Sequence, residues 1–294
     1  MSQKLITVGL PVYNGESMLK RAMESLLAQD DPHFELVLCD NASTDSSYEI
    51  AQKIAEQDSR VRLHRNATNI GAMGNFNKAL ELAQGELFVF AAHDDFWSPN
   101  YLSALRATLE ATPEAVLATP LTKHVDDQGE ASRHSDDRPA TGVSQLANLD
   151  RYLEDHACTW IYGLYHTNWL REKFPLIAGD TYASDLIWMT NVILSETVVG
   201  TDEAIIYKRI KKSDYTPEQY ADQVRAWLTI SRRLREIAWE HSESIWHRTR
   251  AMQLVTHYCY RKFLRGGNPL STVKKMCRAG WTAATLPNET KKAA

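Results

Sequence analysis

The sequence predicts an α/β fold in which a mostly parallel sheet is flanked by helices and followed by a helical extension. Over the first 120 residues, short apolar segments with β-branched residues alternate with longer segments whose apolar residues recur at helical spacing. Repeated strand–helix units require right-handed crossovers, which place helices on both faces of the sheet. We therefore expect one α/β domain over residues 1–212 and a C-terminal helical extension over residues 213–294.

The elements of the first 120 residues follow one another closely. Residues of N-cap type at Ser43–Ser47 precede the second helix, and Gly85 ends the third. The predicted strands are Leu5–Leu10, Glu35–Cys39, Val61–Arg65, Leu87–Ala91 and Ala115–Thr119. The predicted helices are Glu16–Gln29, Ser46–Asp58, Ala72–Ala83 and Tyr101–Ala111.

The remaining sequence is less regular. The polar segment Asp126–Gly142 predicts a surface loop. An apolar stripe after Thr216, at spacings of three, four and seven residues, predicts a long helical region. The other predicted elements are a strand over Glu203–Lys211 and helices over Leu146–His156, Asn168–Phe174, Ser184–Leu194 and Ser244–Leu264.

Charge is distributed unevenly along the chain. Residues 1–205 hold 15 Lys and Arg against 30 Asp and Glu, whereas residues 206–294 hold 18 against 7. Such asymmetry predicts two functional regions, and the basic one could face a membrane, a polyanionic substrate or the acidic half of another subunit. Nucleic acid is not an expected partner, because no nucleic-acid-binding motif accompanies the basic residues.

Composition also bears on the compartment. The four cysteines are dispersed and form no CxxC pair, which argues against a zinc site or a disulfide framework. The N-terminal residues have no signal-peptide pattern, and the chain has no run of about 18 apolar residues that could span a bilayer. These observations predict a cytoplasmic protein.

The acidic pair Asp94-Asp95 is the most informative motif. It follows the apolar strand Leu87–Ala91, and the carboxyl ends of such strands form the ligand-binding edge of an open α/β sheet. Adjacent carboxylates repel unless a cation or hydrogen-bond donors hold them, and their oxygens suit Mg²⁺ or Mn²⁺, which bind diphosphates. The alternative is an Asp-Asp helix cap before Ser98-Pro99.

Three further segments fall at predicted strand ends and would share the same crevice. Tyr13 offers a flat ring on which a nucleobase can stack, and Asp40 can accept hydrogen bonds from a base imide or a ribose. Asp45 is assigned mostly to helix capping. Taken singly, the first segment is better explained as an ordinary β–α loop, Asp40 of the second is assigned mostly to a ligand, and the third is a weak signal. The segments are Gly9–Glu16, Asp40–Ser46 and Asn69–Asn75.

Together these motifs resemble the inverting nucleotide-sugar glycosyltransferases of family 2, which have the GT-A fold, a Rossmann-like mostly parallel sheet. Pro11–Glu16 resembles the opening of that family, and Asp40–Ser46 resembles its DDGSTD segment, with Asn41 and Ala42 in place of the second Asp and the Gly. Asp94-Asp95 resembles the end of its DxDD region, with Ala92 where many relatives have Asp. The similarity covers residues 5–120 closely and 160–211 loosely.

The resemblance implies a role for each matching position. Residues 1–120 would bind the nucleotide sugar and residues 121–212 the acceptor. Asp94 would contact the ribose or donor sugar, and Asp95 would ligate the divalent cation, Mg²⁺ or Mn²⁺. The nucleotide-binding residues would be Pro11, Tyr13, Asn14, Glu16, Asp40, Asn69, Gly71 and Asp94.

Inverting transfer also needs a base that takes the proton of the acceptor hydroxyl as it attacks the sugar. Asp185, at the start of a predicted helix, matches the position of the family's base. Asp180 is the alternative base. Asp185 could instead serve only to stabilise the start of its helix. The segment Tyr207–Lys211 resembles the family's tail strand, in which Arg209 or Lys211 would contact the diphosphate. Solvated basic residues on an edge strand would give the same pattern.

The predicted function is transfer of a sugar, with inversion, from a nucleotide-diphosphate sugar such as a UDP-sugar to a hydroxyl of a glycan or lipid-linked glycan. The expected process is surface polysaccharide biosynthesis. A nucleotidyltransferase and a non-catalytic sugar-nucleotide-binding or scaffold protein are the alternatives. The basic C-terminal helices predict either peripheral contact with the inner face of the membrane or packing on the catalytic domain or a second subunit of a homo-oligomer.

Overall fold

The structure is a computed structural model that describes residues 3–126, 130–135, 138–140, 142–155, 159–174, 184–209, 230–241 and 244–264. The chain divides into two compact units, Met1–Lys211 and Lys212–Ala294, and each is described separately. The predicted site residues Asp180 and Lys211 and the start of the helical region at Thr216 lie outside the described residues.

The first unit alternates strands and helices along most of its length. Its strands are β1 Ile6–Val12, β2 Phe34–Asp40, β3 Val61–Arg65, β4 Leu87–Phe90, β5 Phe96–Trp97, β6 Ala115–Val125, β7 Ala131–Ser135, β8 Leu164–His166 and β9 Thr197–Arg209. Its helices are α1 Glu16–Leu27, α2 Ser47–Ala55, α3 Gly71–Glu81, α4 Tyr101–Glu110, α5 Gln145–Asp155, α6 Thr167–Lys173 and α7 Ser184–Ser195, with a 3₁₀ turn at Trp160–Tyr162.

The strands form one sheet in the order β3-β2-β1-β4-β8-β6-β9-β5, with β7 paired to β6. Strands β1 to β4 are parallel to their neighbours within this group, and β6 is parallel to β9. Strand β8 lies antiparallel between β4 and β6, and β5 and β7 are antiparallel edge strands. Six of the nine described strands therefore run in one direction, which confirms the predicted mostly parallel α/β sheet.

The parallel half of the sheet is buried on both faces. Every residue of β1, β2 and β4 is buried, as expected for strands covered by crossover helices. On one face Leu10 belongs to the same apolar cluster as Leu19 of α1, and on the other Val37 clusters with Ala79 of α3. Close packing requires glycine at position 9, because a Cβ there would lie 2.5 Å from Cζ of Phe88.

Several expectations for the second half of this unit were wrong. The segment Asp126–Gly142, predicted to be a loop, contains strand β7. The prediction failed because a polar edge strand of a hairpin has no apolar pattern from which it could be recognised. Strands β6 and β9 are longer than predicted. Strand β8 has only three residues, too few for a period to be recognised in the sequence.

The second unit is helical over its described residues. Residues 230–240 form α8, and Ile245–Leu264 form α9, which confirms the predicted helix over Ser244–Leu264. Leu234 and Ile237 of α8 and Val255 of α9 are buried. Among the helices that the structure describes, none is both long and apolar enough to cross a membrane.

Candidate active site

The loops that follow β1 and β2 are bonded to each other. The amide of Asn14 donates to Oγ of Ser43 (3.0 Å), and the amide of Thr44 donates to Oδ1 of Asn14 (2.9 Å). Asn14 has a φ of 51°, a left-handed conformation that asparagine tolerates better than most residues. The preceding Tyr13 remains 45% exposed, while Pro11 is buried within β1. Their predicted contacts with a base remain predictions.

The carboxylates of Glu16 and Asp45 each accept a backbone amide of the other's loop. The amide of Glu16 donates to Oδ2 of Asp45 (3.1 Å), and the amide of Ser46 donates to Oε2 of Glu16 (3.0 Å). Asp45 also accepts bonds from the amide and hydroxyl of Ser47. Burial alone would raise the pKa of Asp45, but hydrogen bonds from the Ser47 hydroxyl and from the amides of Glu16 and Ser47 lower it. Each carboxylate thus holds the start of the other's helix.

Asp40 is the fully buried carboxylate at the end of β2. Its Oδ2 lies 3.1 Å from Nε of Arg65 and accepts a bond from the amide of Ser43 (3.2 Å). Its Oδ1 is buried and accepts no hydrogen bond from the residues that the structure describes. The Arg65 guanidinium lies 4.4 Å from the ring centroid of Tyr48. Oδ1 of Asp40 therefore has acceptor capacity that the described residues leave unused.

Four asparagines join the ends of β2 and β3 to the start of α3. Nδ2 of Asn66 donates to Oδ1 of both Asn41 (3.0 Å) and Asn75 (2.9 Å), and Nδ2 of Asn41 donates to Oδ1 of Asn69 (2.8 Å). Oδ1 of Asn69 also accepts the amide of Gly71 (2.8 Å). An aspartate at position 41 could not donate to Asn69, so the amide is required by this arrangement.

Ala42 stands where the family segment commonly has glycine. Its φ of 59° lies in the left-handed region, which is unfavourable for a residue with a Cβ. The neighbouring bonds of Asn41 and Ser43 hold it there. We call residues 13–16, 40–47 and 65–75 the loop network.

The acidic pair is anchored to the end of β9. Asp95 is buried, its Oδ1 accepts the amide of Arg209 (3.1 Å), and its Oδ2 lies 3.7 Å from Nζ of Lys208. Asp94 is partly exposed. The alternative of a cap for α4 is wrong, because β5 follows the pair directly and Asn100 occupies the N-cap position of that helix.

Ring packing holds this anchor in place. Phe96 of β5 pairs with Tyr207 of β9, and the two rings stack at a centroid distance of 4.7 Å and an angle of 7°. The Arg21 guanidinium of α1 lies 3.8 Å from the ring centroid of Phe96. On the other side, the His93 ring packs on Gly15, where a Cβ would lie 2.5 Å from Cδ2 of His93.

Tyr162 lies among the charged groups of the site. Burial raises the pKa of its phenol, the positive charge of Lys208 opposes this, and the negative charges of Asp95, Asp185 and Asp94 raise the pKa further. Nζ of Lys208 lies 5.2 Å from the ring centroid. We call Asp94, Asp95, Asp185 and Lys208 the acidic cluster.

The topology of the sheet explains why residues of the acidic cluster, which are far apart in the sequence, lie in one region. Strands β4 and β9 end, and the antiparallel β8 begins, at the same edge of the sheet. Asp185 lies in the first turn of α7, is partly exposed, and accepts the amide of Leu186 at Oδ1 (2.9 Å). The predicted diphosphate residue Arg209 contacts Asp95 through its backbone, and by strand alternation its side chain points away from the face of Lys208.

The acidic pair fits a cation only in combination with a ligand. Among the described residues there is no group of three or more His, Cys, Asp or Glu that could hold a metal ion. However, Mg²⁺ in nucleotide sites commonly uses one or two carboxylates together with phosphate oxygens and water. Asp94 and Asp95 could supply that part of the coordination, with the phosphates of a ligand supplying the rest.

Comparison with known proteins identifies the family. The model of the family described as "Glycosyl transferase family 2" matches residues 7–175. This chain belongs to glycosyl transferase family 2. The matched range contains the loop network and the acidic pair but ends before Asp185 and β9.

Relatives within glycosyl transferase family 2 match over the first part of the chain. A putative teichuronic acid biosynthesis glycosyltransferase of Bacillus subtilis, TuaG, is 36% identical over 98 residues, covering 33% of this chain and 39% of TuaG. The Escherichia coli β-1,3-glucosyltransferase WfaP, which acts from UDP-Glc on α-D-GlcNAc-diphosphoundecaprenol, is 33% identical over 100 residues, covering 34% and 39%. The chain thus spans about two fifths of the length of these relatives.

Solved structures resemble the chain over a greater length. The S. aureus TarS fragment 1-349 in complex with UDP-GlcNAc has a TM-score of 0.69 at 20% identity and covers 94% of this chain and 79% of that one. A Pyrobaculum calidifontis mannosyltransferase in complex with GDP-Man and Mn²⁺ has a TM-score of 0.55 at 17% identity, covering 98% and 82%. These similarities confirm the predicted GT-A fold.

Proposed function

We propose that this chain is an inverting glycosyltransferase that moves a sugar from a nucleoside-diphosphate sugar, in the first instance a UDP-sugar, to an acceptor hydroxyl. The observation that carries the proposal is the acidic cluster around Tyr162, which joins residues from four distant parts of a family 2 chain. It lies at the carboxyl edge of the sheet, where ligands of open α/β folds bind.

The donor nucleotide would occupy the loop network. Tyr13 supplies an exposed ring for stacking on the base, and Oδ1 of Asp40 can accept the N–H of a base imide. Asp94 would contact the ribose or the donor sugar. Glu16 and Asn69 already bond to the protein, so we expect them to shape the loops that hold the nucleotide.

Asp185 would act as the general base. It takes the proton of the acceptor hydroxyl while the hydroxyl oxygen attacks C1 of the donor sugar. The bond between C1 and the diphosphate oxygen breaks in the same step, and the nucleoside diphosphate leaves from the opposite face, which inverts the configuration at C1. Because Oδ1 of Asp185 accepts the amide of Leu186, its Oδ2 would receive the proton.

A divalent cation, Mg²⁺ or Mn²⁺, would be held by Asp94 and Asp95 together with the donor diphosphate. Such a cation supplies positive charge that stabilises the diphosphate as it leaves. The protein contributes the position of the two carboxylates, which the pairing of β5 with β9 fixes.

The names of two relatives support an acceptor in surface polysaccharide assembly. WfaP glucosylates a sugar linked to diphosphoundecaprenol, and TuaG is named for teichuronic acid biosynthesis. We therefore propose a glycan or lipid-linked glycan as the acceptor class. We also propose a location at the cytoplasmic face of the membrane, where such lipid-linked acceptors would be accessible.

The test combines transfer with nucleotide binding. The full chain is incubated with UDP-sugars and diphospholipid-linked sugar acceptors, and both product and released UDP are measured. Asp185→Asn should lower kcat by about 100-fold or more, since general-base catalysis is commonly worth 10²–10⁴-fold. Its affinity for UDP and its melting temperature should stay close to those of the unchanged chain, because asparagine can still accept the amide of Leu186.

Asp30→Asn is the matched control. Asp30 is exposed and lies in the loop before β2, at the opposite edge of the sheet, so the same loss of charge there should leave transfer unchanged. Full transfer by Asp185→Asn would reject the base assignment. Absence of transfer by the unchanged chain, with nucleotide still bound, would favour a non-catalytic binding protein.

A further inference from the structure

Lys208 is a charged residue that the roles assigned above leave without a function. It lies near the end of β9, and its side chain is 27% exposed. Its Nζ is 3.7 Å from Oδ2 of Asp95 and 5.2 Å from the ring centroid of Tyr162. The cation and donor phosphates proposed to bind at Asp95 would therefore lie close to this ammonium.

The charge of the cluster makes this position significant. Asp94, Asp95 and Asp185 are all close enough to raise the pKa of Tyr162. Three carboxylates would repel a diphosphate unless positive charge accompanied it. Lys208 is a positive charge built into the protein at this point, and it opposes the effect of the carboxylates on Tyr162.

We propose that Lys208 is a diphosphate-binding residue, whose ammonium contacts the donor phosphates and provides binding that persists when no divalent cation is present. The inference rests on the proposed function. It identifies Lys208 as the residue that would make binding of the donor less dependent on a metal ion. A lysine suits this task because its flexible stem lets a compact ammonium turn from Asp95 to a phosphate oxygen. In its present position the ammonium also lies within cation–π distance of the Tyr162 ring.

Backbone geometry supports Lys208 over its neighbour. The amide of Arg209 is already bonded to Oδ1 of Asp95, and adjacent side chains of a strand point to opposite faces. The face of β9 that carries Lys208 is the face of Tyr162 and the acidic cluster. The stack of Phe96 on Tyr207 fixes the register of β5 and β9, and with it the reach of Lys208.

The experiment measures UDP binding to the full chain by titration calorimetry, once with EDTA and once with Mn²⁺. The variants are Lys208→Met, which keeps much of the stem but removes the charge, and Lys208→Arg, which keeps the charge. The matched control is Lys53→Met in the last turn of α2, which removes one exposed positive charge at the opposite edge of the sheet. Uridine serves as a ligand without phosphates.

With EDTA, Lys208→Met should weaken UDP binding by about tenfold or more, as expected for loss of a hydrogen bond between charged groups. With Mn²⁺ the loss should be smaller, because the cation supplies part of the same charge. Lys208→Arg should stay within about threefold of the unchanged chain, and Lys53→Met should not differ from it. Uridine affinity should be the same in all four proteins, a result that a merely structural role for Lys208 would not give.

Two results would overturn the inference while leaving the proposed function intact. One is equal UDP affinity of Lys208→Met and the unchanged chain in EDTA. The other is UDP binding by the unchanged chain only when Mn²⁺ is present. Failure of the unchanged chain to bind UDP or GDP in either buffer would instead reject the proposed function, and the inference with it.

Discussion

The loop network and the acidic cluster lie at the same edge of one sheet but are stabilised in different ways. The loop network is held by amide, hydroxyl and carboxylate groups that bond to one another within the protein. In the acidic cluster the charges of three carboxylates raise the pKa of the Tyr162 phenol, and Nζ of Lys208 lies 3.7 Å from Oδ2 of Asp95. The first region is therefore held by bonds within the protein, whereas the second places several charged groups near one another, where the proposed cation and diphosphate would bind.

The difference suggests a division of labour. Under the proposed function, the hydrogen-bonded loops would recognise the base and ribose through fixed acceptors such as Asp40. The ionisable groups of the acidic cluster would interact with the charge that develops on the diphosphate during the proposed transfer. Loss of the buried hydrogen bonds within the loop network should consequently lower folding stability. Changes in the acidic cluster should alter binding and catalysis more than stability.

Loss of Asn66 should break the loop network most severely. Asn66→Ala removes the amide that links Asn41 to Asn75 and leaves their buried oxygens without this donor. We expect the free energy of unfolding to fall by about 2–3 kcal/mol, measured by urea denaturation. Asn168→Ala, on the exposed face of α6, is the matched control and should change stability by no more than about 0.5 kcal/mol. An Asn66→Ala protein as stable as that control would show that the network contributes little.

Loss of the aromatic stack should show whether the stack positions Asp95 for catalysis as well as stabilising the fold. Phe96→Leu removes the ring that stacks on Tyr207 and lies under Arg21, and it should cost about 1–2 kcal/mol of unfolding free energy. Because β5 carries Asp95 to the end of β9, we also expect kcat to fall more than UDP affinity falls. Measurement of kcat and KM on the folded variant checks this, and an unchanged kcat would show that Asp95 is positioned without the stack.

The parallel half of the fold is readable from the sequence because its strands are buried on both faces. Strand β4 is a continuous apolar run, β1 and β2 are mostly apolar, and each of the three is followed by a turn rich in Gly, Asn or Asp. Strands β5 and β8 have two and three residues, and their existence depends on pairing with segments far along the chain. No local pattern specifies such a pairing.

The same limit applies to the site. The location of Asp40 and Asp94-Asp95 at strand ends follows from the sequence pattern alone. The proximity of Lys208 to Asp95 depends on the register between β5 and β9, and the contact of Arg65 with Asp40 depends on the pairing of β2 with β3. Asn66 could have been suspected, because asparagines recur at the ends of successive strand segments, but its partners could not be deduced.

One substitution in the loop network should increase the free energy of unfolding. Ala42→Gly should relieve the left-handed conformation at φ 59°, although glycine also gains freedom in the unfolded chain. We expect a net gain of about 0.5–1 kcal/mol in unfolding free energy. Ala107→Gly in the exposed middle of α4 is the matched control and should lose about 1 kcal/mol. Opposite signs for the same substitution would show that strain is stored in the loop network, and two losses would contradict it.

The smallest effect should be the pH dependence that the loop network owes to Asp45. Its pKa is lowered in the folded protein, so its ionised form stabilises the fold above the ordinary Asp pKa of about 3.9. This contribution, on the order of 0.5 kcal/mol for a group near the surface, is lost as pH falls through the lowered pKa. Denaturation of the unchanged chain and of Asp45→Asn should therefore differ at pH 6 and converge below about pH 4. A difference that does not change with pH would mean that the oxygen atoms of Asp45, which asparagine only partly replaces, matter rather than its charge.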